Sequence, residues 1–349
     1  MKHINIGDKL IGDGCPCFII AEAGVNHNGS IHLAKKLIDN AKDVGADAVK
    51  FQTFKTEAIV TKSAPKAEYQ EKSNDEIISS QYDMIKKLEL STDEFRELSK
   101  YADDKEIIFL SSPFDEESLD LLDEIGVPAF KLGSGEITNL PLIKYLITKE
   151  KPLILSTGMA SLCEIEEAIN IIKNKNIDLI LMYCVTNYPA SMDEIDLNIM
   201  ATLRNTFTLP VGFSDHTMGI ELAVAAVALG ACIIEKHFTL DRNLEGPDHK
   251  ASLEPDELKF MVDYIRNVEK GMGSGVKKIT NDELSIKKIA RKSIMARRDI
   301  EKGEIIRKDM LIIKRPETGI YPKYIDLIVG KEINTAVKKD EPIKWDNLK

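Results

Sequence analysis

A chain of 349 residues, 43% hydrophobic and 30% charged, is long enough for a barrel of about 250 residues plus a small second domain. Its formal net charge of −10 excludes a general polyanion binder, so nucleic acid is not an expected partner. The lack of an 18-residue apolar run or a signal-peptide core, with five scattered cysteines (Cys15, Cys17, Cys163, Cys184 and Cys232), excludes the membrane and disulfide-stapled classes and predicts the cytoplasm.

From residue 18 short apolar runs alternate with longer amphipathic stretches. The runs are 18–22, 47–52, 107–111, 127–132, 152–156, 179–184, 211–214 and 231–237. Eight near-continuous apolar runs predict parallel strands buried on both faces, the number a closed (β/α)8 TIM barrel requires. Between them, Leu33, Leu37, Ile38, Ala41 and Val44 recur at helical spacing and stop at Gly45. Ser91 with Glu94, and Ser161 with Glu164, fit capping boxes, and Leu162, Ile165, Ile169 and Ile172 form one stripe. Gly126 and Gly230 close two more helices. Pro255 suits the first turn of a last helix whose Leu258, Met261, Val262, Ile265 and Val268 face the barrel. Residues 53–106 exceed one strand–helix unit and must hold an extra loop or helix, with Lys55–Lys72 as a long exposed excursion.

After the last helix, the glycine-rich stretch 271–275 reads as a linker, since a phosphate-binding loop would follow a strand. The expected division is a barrel over 1–273, a linker over 274–286 and a small, largely irregular domain over 287–349, marginal for independent stability.

Every predicted strand ends in polar or ionisable residues: Glu22; Lys50 and Gln52; Ser111 and Ser112; Lys131, Ser134 and Glu136; Ser156 and Thr157; Thr186, Asn187 and Tyr188; Ser214, Asp215 and His216; Glu235 and His237. A closed barrel gathers these ends around one mouth. Lys50, Lys131, Ser112, Ser134, Ser156 and Ser214 supply the cations and hydroxyls that suit a phosphate and carboxylate dianion. His216 and His237 close adjacent strands and could share a divalent metal, with Glu22, Glu235 and Asp248 nearby; Mn2+, Mg2+, Co2+ and Zn2+ all fit two imidazoles plus water.

These residues sit in strings that resemble the N-acetylneuraminate (sialic acid) synthase family nearly end to end: IIAEAGVNHNG (19–29), VKFQT (49–53), SPF (112–114), KLGSGE (131–136), STGM (156–159), SDHT (214–217), EKHFT (235–239) and GPDHKAS (246–252). Residues 292–330, with Lys314-Arg315-Pro316 and Gly319, resemble the antifreeze-like (SAF, β-clip) domain of that family. The resemblance implies condensation of phosphoenolpyruvate with an open-chain N-acyl amino sugar and water. It puts phosphoenolpyruvate on Lys50, Ser112, Lys131, Ser134, Ser156, Thr186 and Ser214, and the sugar on Gln52, Glu136, Tyr188 and Asp248. It puts a metal, Mn2+ before Mg2+ or Co2+, on His216 and His237, and makes Glu22 the carboxylate that steadies the cationic centre or positions the water. It further implies a homodimer in which the C-terminal domain of one subunit caps the other's barrel and brings Arg315 to the acyl group. The family pattern has Asn or Ser where this chain has Thr186, so Thr186 and Asn187 both stand as phosphate contacts.

A Schiff-base aldolase would use Lys50 or Lys131 without needing the histidine pair, and a purely carbohydrate- or ice-binding module would leave the polar strand ends unexplained. The strings at Ala64–Gln70, Ser80–Gln81 and Lys87–Leu90 are closer to the sialic and legionaminic branches than to the pseudaminic one. N-acetylmannosamine, giving N-acetylneuraminate, is the expected substrate, with 2,4-diacetamido-2,4,6-trideoxymannose, giving N,N'-diacetyllegionaminate, as the alternative.

Overall fold

The computed structural model describes residues 3–65 and 80–349, in two compact units, Met1–Gly273 and Ser274–Lys349. The first unit opens with a hairpin, β1 (Ile4–Ile6) and β2 (Lys9–Ile11), turned by Gly7-Asp8 with Gly7 at φ 60°. Sequence reading passed over it, although a Gly-Asp pair between alternating isoleucines is a hairpin signal. Ile4, Ile6 and Ile11 are buried with Phe18, Ile20, Leu110, Ile154, Ile180 and Ile233 from the first halves of the barrel strands, so the hairpin plugs the end opposite the polar mouth. Each buried isoleucine contributes roughly 1.5–3 kcal/mol.

Eight parallel strands follow: β3 (Phe18–Gly24), β4 (Ala48–Thr53), β5 (Ile108–Pro113), β6 (Phe130–Leu132), β7 (Leu153–Ser156), β8 (Leu179–Tyr183), β9 (Val211–Asp215) and β10 (Ile233–His237). Their order is β5-β4-β3-β10-β9-β8-β7-β6, and β5 lies against β6 to close the ring. All eight match predicted runs to within a few residues. The first unit is an eight-stranded parallel α/β barrel.

The capping boxes at Ser91 and Ser161 are both formed, starting helices Thr92–Asp104 and Leu162–Lys173. Helix Pro255–Met272 buries Leu258, Met261, Val262 and Ile265 against the barrel. The long segment after β4 carries short helices Thr56–Ile59 and Gln81–Lys86. Residues 66–70 of the Ala64–Gln70 string, and the later part of the excursion to Lys72, lie outside the described residues. Among the described residues no helix is long and apolar enough to cross a membrane.

The second unit begins with helix Asn281–Ala290, which crosses the boundary expected between linker and domain. Thr280 and Glu283 form its capping box, but Leu284, Ile286 and Ile289 are exposed and make no single buried stripe, so periodicity did not reveal it. Strands β11 (Ser293–Ala296) and β12 (Leu311–Lys314) pair antiparallel. Ile294, Ile300, Ile306, Met310, Ile320, Ile328, Ile333, Val337 and Ile343 are buried in a core of its own, a fuller core than its irregular sequence suggested.

Candidate active site

The polar strand ends converge on a cavity of about 630 Å³ at the C-terminal mouth of the barrel, where barrel enzymes do their chemistry. Glu22, Lys50, Gln52, Ser112, Lys131, Ser134, Ser156, Thr186, Tyr188, Ser214, His216, His237 and Asp248 all line it. Side-chain alternation explains the selection: along β10, Glu235 and His237 face the cavity while the intervening Lys236 turns to the helical layer. Glu136 does not reach the lining; its carboxylate accepts a bond from Asn139 Nδ2 at 2.7 Å. Arg315 belongs to the second unit, exposed, with its Nε donating to the Ala290 carbonyl at 2.8 Å. Asn187 is exposed and its side chain accepts from Tyr188 N, whereas Thr186 Oγ1 is buried in the cavity without a hydrogen-bond partner.

The floor is an alternating lattice of charge. Lys50 Nζ lies 2.7 Å from Glu22 Oε2 and 3.6 Å from Glu235 Oε2, and donates to Ser112 Oγ at 3.1 Å. Lys131 Nζ stands 3.4 Å from Glu235 Oε1, which also accepts from Ser214 Oγ at 2.9 Å. Glu235 thus bridges the two lysines, a role sequence reading did not give it. The two carboxylates part company electrostatically. Burial pushes the Glu22 carboxyl up to about 7, against the pull of Lys50. Burial works the same way on Glu235, but Lys131 and Lys50 together override it and hold that carboxyl at about 2. Burial lowers the pKa of the Lys131 amine against the pull of Glu235, while Glu22 and Glu235 raise that of Lys50, so the floor sets cations and carboxylates side by side where an anion would meet them. Glu22 also accepts from Gln52 Nε2 at 3.3 Å, and the two side chains flank the same opening.

Beside this floor is a small cradle. Gly158 N donates to Ser134 Oγ at 3.0 Å, and Ser134 Oγ is 3.1 Å from Cys184 Sγ. A Cβ on Gly158 would stand 2.2 Å from Thr186 Oγ1, 2.7 Å from Ser134 Oγ and 2.9 Å from Cys184 Sγ. Glycine is required there by close approach, and the unpartnered Thr186 hydroxyl is ready for an anionic oxygen. Gly158→Ala is therefore expected to raise the KM for phosphoenolpyruvate by at least about tenfold, roughly the loss of one charge-assisted hydrogen bond. Overpacking should also lower the melting temperature, at a cost of about 1–3 kcal/mol of stability; an unchanged KM in the folded variant would remove the cradle from the phosphate site.

His216 and His237 face each other with ring centroids 5.5 Å apart, and Tyr188 packs against both at 4.2 and 5.3 Å. His216 Nδ1 donates to the Val185 carbonyl at 2.7 Å, which leaves the Nε2 lone pair toward the cavity, 3.3 Å from Ser214 Oγ. His237 Nδ1 is buried without a hydrogen-bond partner, 3.8 Å from Asp248 Oδ2. Burial lowers His216 to about 4 and, with His216 and Lys50 adding to it, takes His237 well below its ordinary value. Two neutral imidazoles, one already oriented by a backbone carbonyl, fit a divalent metal. Among the described residues no group of three or more His, Cys, Asp or Glu side chains forms a complete metal cage; two imidazoles by themselves leave positions open to water and substrate oxygens.

The remaining wall, invisible to sequence reading, is apolar. Val25, Phe54 and Leu88 form a buried cluster with Ile59, Ile85 and Phe114, and Met84 joins them along the cavity. These residues come from three separate loops after strands, so no sequence period connects them.

Comparison with known proteins now places this geometry. Residues 37–277 match the NeuB family and residues 291–349 the SAF domain. The chain belongs to the NeuB family. Two relatives are N,N'-diacetyllegionaminic acid synthases. That of Campylobacter jejuni is 52% identical over 93% of this chain and 98% of the relative; that of Legionella pneumophila is 48% identical over 99% and 98%. The crystal structure of the N-acetylneuraminic acid synthetase of Leptospira borgpetersenii, 37% identical, superposes with a TM-score of 0.72 over 82% of this chain and 95% of that one. As a NeuB-family member the chain is an enzyme of the nonulosonic acid synthase type, and its barrel cavity is the candidate active site.

Proposed function

We propose that the protein is an N,N'-diacetyllegionaminic acid synthase, joining phosphoenolpyruvate to open-chain 2,4-diacetamido-2,4,6-trideoxymannose with water and releasing phosphate. The observation that carries the choice of sugar is the apolar wall of Val25, Phe54, Met84, Leu88 and Phe114 facing the charged floor. The legionaminate precursor carries a methyl at C6 and an acetamido group at C4, where N-acetylmannosamine has hydroxyls. An apolar wall favours the methyl and leaves a hydroxyl unpaired, a preference on the order of 10- to 100-fold. The identity to the two legionaminic acid synthases supports the same ordering, which reverses the N-acetylneuraminate expectation.

In this reading Lys50, Lys131 and the Ser134–Gly158–Thr186 cradle hold the carboxylate and phosphate, with Ser112, Ser156 and Ser214 around them. Carbon C3 of the enol phosphate attacks the sugar aldehyde, forming the new carbon–carbon bond. The cationic C2 that results is trapped by water, and phosphate leaves with cleavage of its C–O bond. Glu22, titrating near 7, is placed to steady that cation or to take the proton of the water. Gln52, Tyr188 and Asp248 contact the sugar. A divalent ion, Mn2+ before Mg2+ or Co2+, would be held by His216 and His237, and the chemistry it supplies when bound is polarisation of a carbonyl.

A Schiff-base aldolase would use Lys131, whose amine pKa burial lowers against the pull of Glu235, rather than Lys50, whose pKa Glu22 and Glu235 raise; it is disfavoured because it gives the His216–His237 pair no role. The second unit carries 19 Lys and Arg against 12 Asp and Glu, although the whole chain is at −10. A basic C-terminal unit and a strongly acidic barrel support docking of the one on the barrel of a second copy, with Arg315 as the residue offered to the sugar.

The test is a phosphate-release assay with Mn2+. The expected kcat/KM for 2,4-diacetamido-2,4,6-trideoxymannose exceeds that for N-acetylmannosamine by more than tenfold. Equal or inverted values would return the assignment to N-acetylneuraminate, and a borohydride-trapped adduct would return it to the aldolase.

A further inference from the structure

Immediately behind the two imidazoles, on the other face of the same strands, sits a buried ion pair that no step of the reaction touches. Asp215 and Lys236 are 0% and 1% exposed, and they are direct neighbours in the register of β9 and β10. Lys236 Nζ donates to Asp215 Oδ2 at 2.8 Å and to the Thr217 carbonyl at 2.6 Å. Asp215 Oδ1 accepts from both Thr217 N, at 2.9 Å, and Thr217 Oγ1, at 2.7 Å. The residues on either side of His216 are thus tied to the residue immediately before His237. On the far side, the His216 carbonyl accepts from Ala190 N at 2.8 Å and its ring is held by the Val185 carbonyl.

A buried ion pair is a weak source of stability, because desolvating two charges offsets their attraction; well-packed apolar residues often serve the fold as well. What such a pair does supply is geometry. Every charged oxygen and two of the lysine's protons are committed, so the two strand ends have one relative placement. Strand ends are where a chain turns into loop, and β9 ends at Asp215 itself; without a tie, His216 sits on the first loop residue.

We propose that Asp215 and Lys236 are positioning residues that set the spacing and orientation of His216 and His237 for a shared divalent ion. The inference rests on the proposed metal role of the histidines and adds to it the device that makes two imidazoles, without a third protein ligand, a competent site. Partners that bond a ligating imidazole directly are worth roughly 10- to 100-fold in metal affinity, and a tie that fixes the backbone beside both rings is expected to act in the same range.

The test uses the full-length protein and Co2+, whose visible absorption reports its ligand geometry, with affinity read by calorimetry. The double variant Asp215→Leu/Lys236→Met removes both charges together and so spares the fold an unpaired ion. It is expected to melt close to the parent, yet to bind Co2+ roughly 10- to 100-fold more weakly with an altered spectrum. Should that variant not fold, Asp215→Asn/Lys236→Met serves instead, since the amide oxygen still accepts both Thr217 bonds and no buried charge is left unpaired; the same weakening is expected. Parental Co2+ affinity and spectrum in a folded variant overturn the proposal while leaving the metal reading intact. If the parent protein and His216→Ala show equally no Co2+ binding, the metal reading itself fails and takes the proposal with it.

Discussion

Replacing His237 with alanine is expected to lower turnover by at least about 10³-fold, roughly 4 kcal/mol of transition-state stabilisation, while the barrel stays folded. The imidazole stands at the cavity end of β10, so its removal opens space toward the cavity rather than a void in the apolar core. The stability cost should stay near the ~1 kcal/mol typical of a substitution. Co2+ binding should be lost together with activity. His237 Nδ1 is one of the buried polar atoms with no partner of its own, which a side chain kept purely for structure rarely shows. Substantial turnover by a folded His237→Ala protein would withdraw the metal from the reaction and reopen the barrel to a lysine-based mechanism.

The second large effect is expected at Lys50. In Lys50→Met the Glu22 carboxylate loses a partner at 2.7 Å and Glu235 loses one at 3.6 Å, all three groups being buried. Breaking such a lattice from one side costs about 3–5 kcal/mol, and the loss of a cation should raise the KM for phosphoenolpyruvate as well. The pH dependence has a definite sign. In the parent, the Glu22 carboxyl titrates near 7 when folded, above its ordinary value of 4.5. Its share of stability is complete below 4.5 and is lost as pH rises to about 7, beyond which it changes no further. Without Lys50 the carboxyl moves higher still, so the variant keeps losing stability above pH 7, by up to about 1.4 kcal/mol per pH unit. Melting temperatures of the two proteins should therefore diverge between pH 7 and 9 and run parallel below 6. A separation independent of pH would show that Glu22 and Lys50 are not coupled.

The eight strands were legible because each is a short apolar run with a polar end, and burial on both faces leaves little room for another pattern. The helices were legible where a cap and a stripe coincided, as at Ser161 with Ile165 and Ile169. Helix Asn281–Ala290 was missed because its cap stands without a buried stripe, and the β1–β2 hairpin because three-residue strands are too short for periodicity to mark. Thirteen of the residues singled out at the strand ends do line one cavity. Glu136 does not, since the 3₁₀ turn at Ser134–Glu136 rotates it onto Asn139.

Glu22 and Glu235 show where sequence stops. Alternation in β3 and β10 is enough to aim both carboxyls into the barrel, beside lysines that the same alternation brings inward from β4 and β6. Those facts belong to the order of residues. Which lysine meets which glutamate does not, because Lys50, Lys131 and Glu235 come together only when the ring closes across long stretches of chain. Glu235 reaches two cations and stays ionised; Glu22 has one close cation and titrates near 7. In a buried site the number of opposite charges within a few ångströms decides the protonation of chemically identical groups, and only the tertiary structure sets that number.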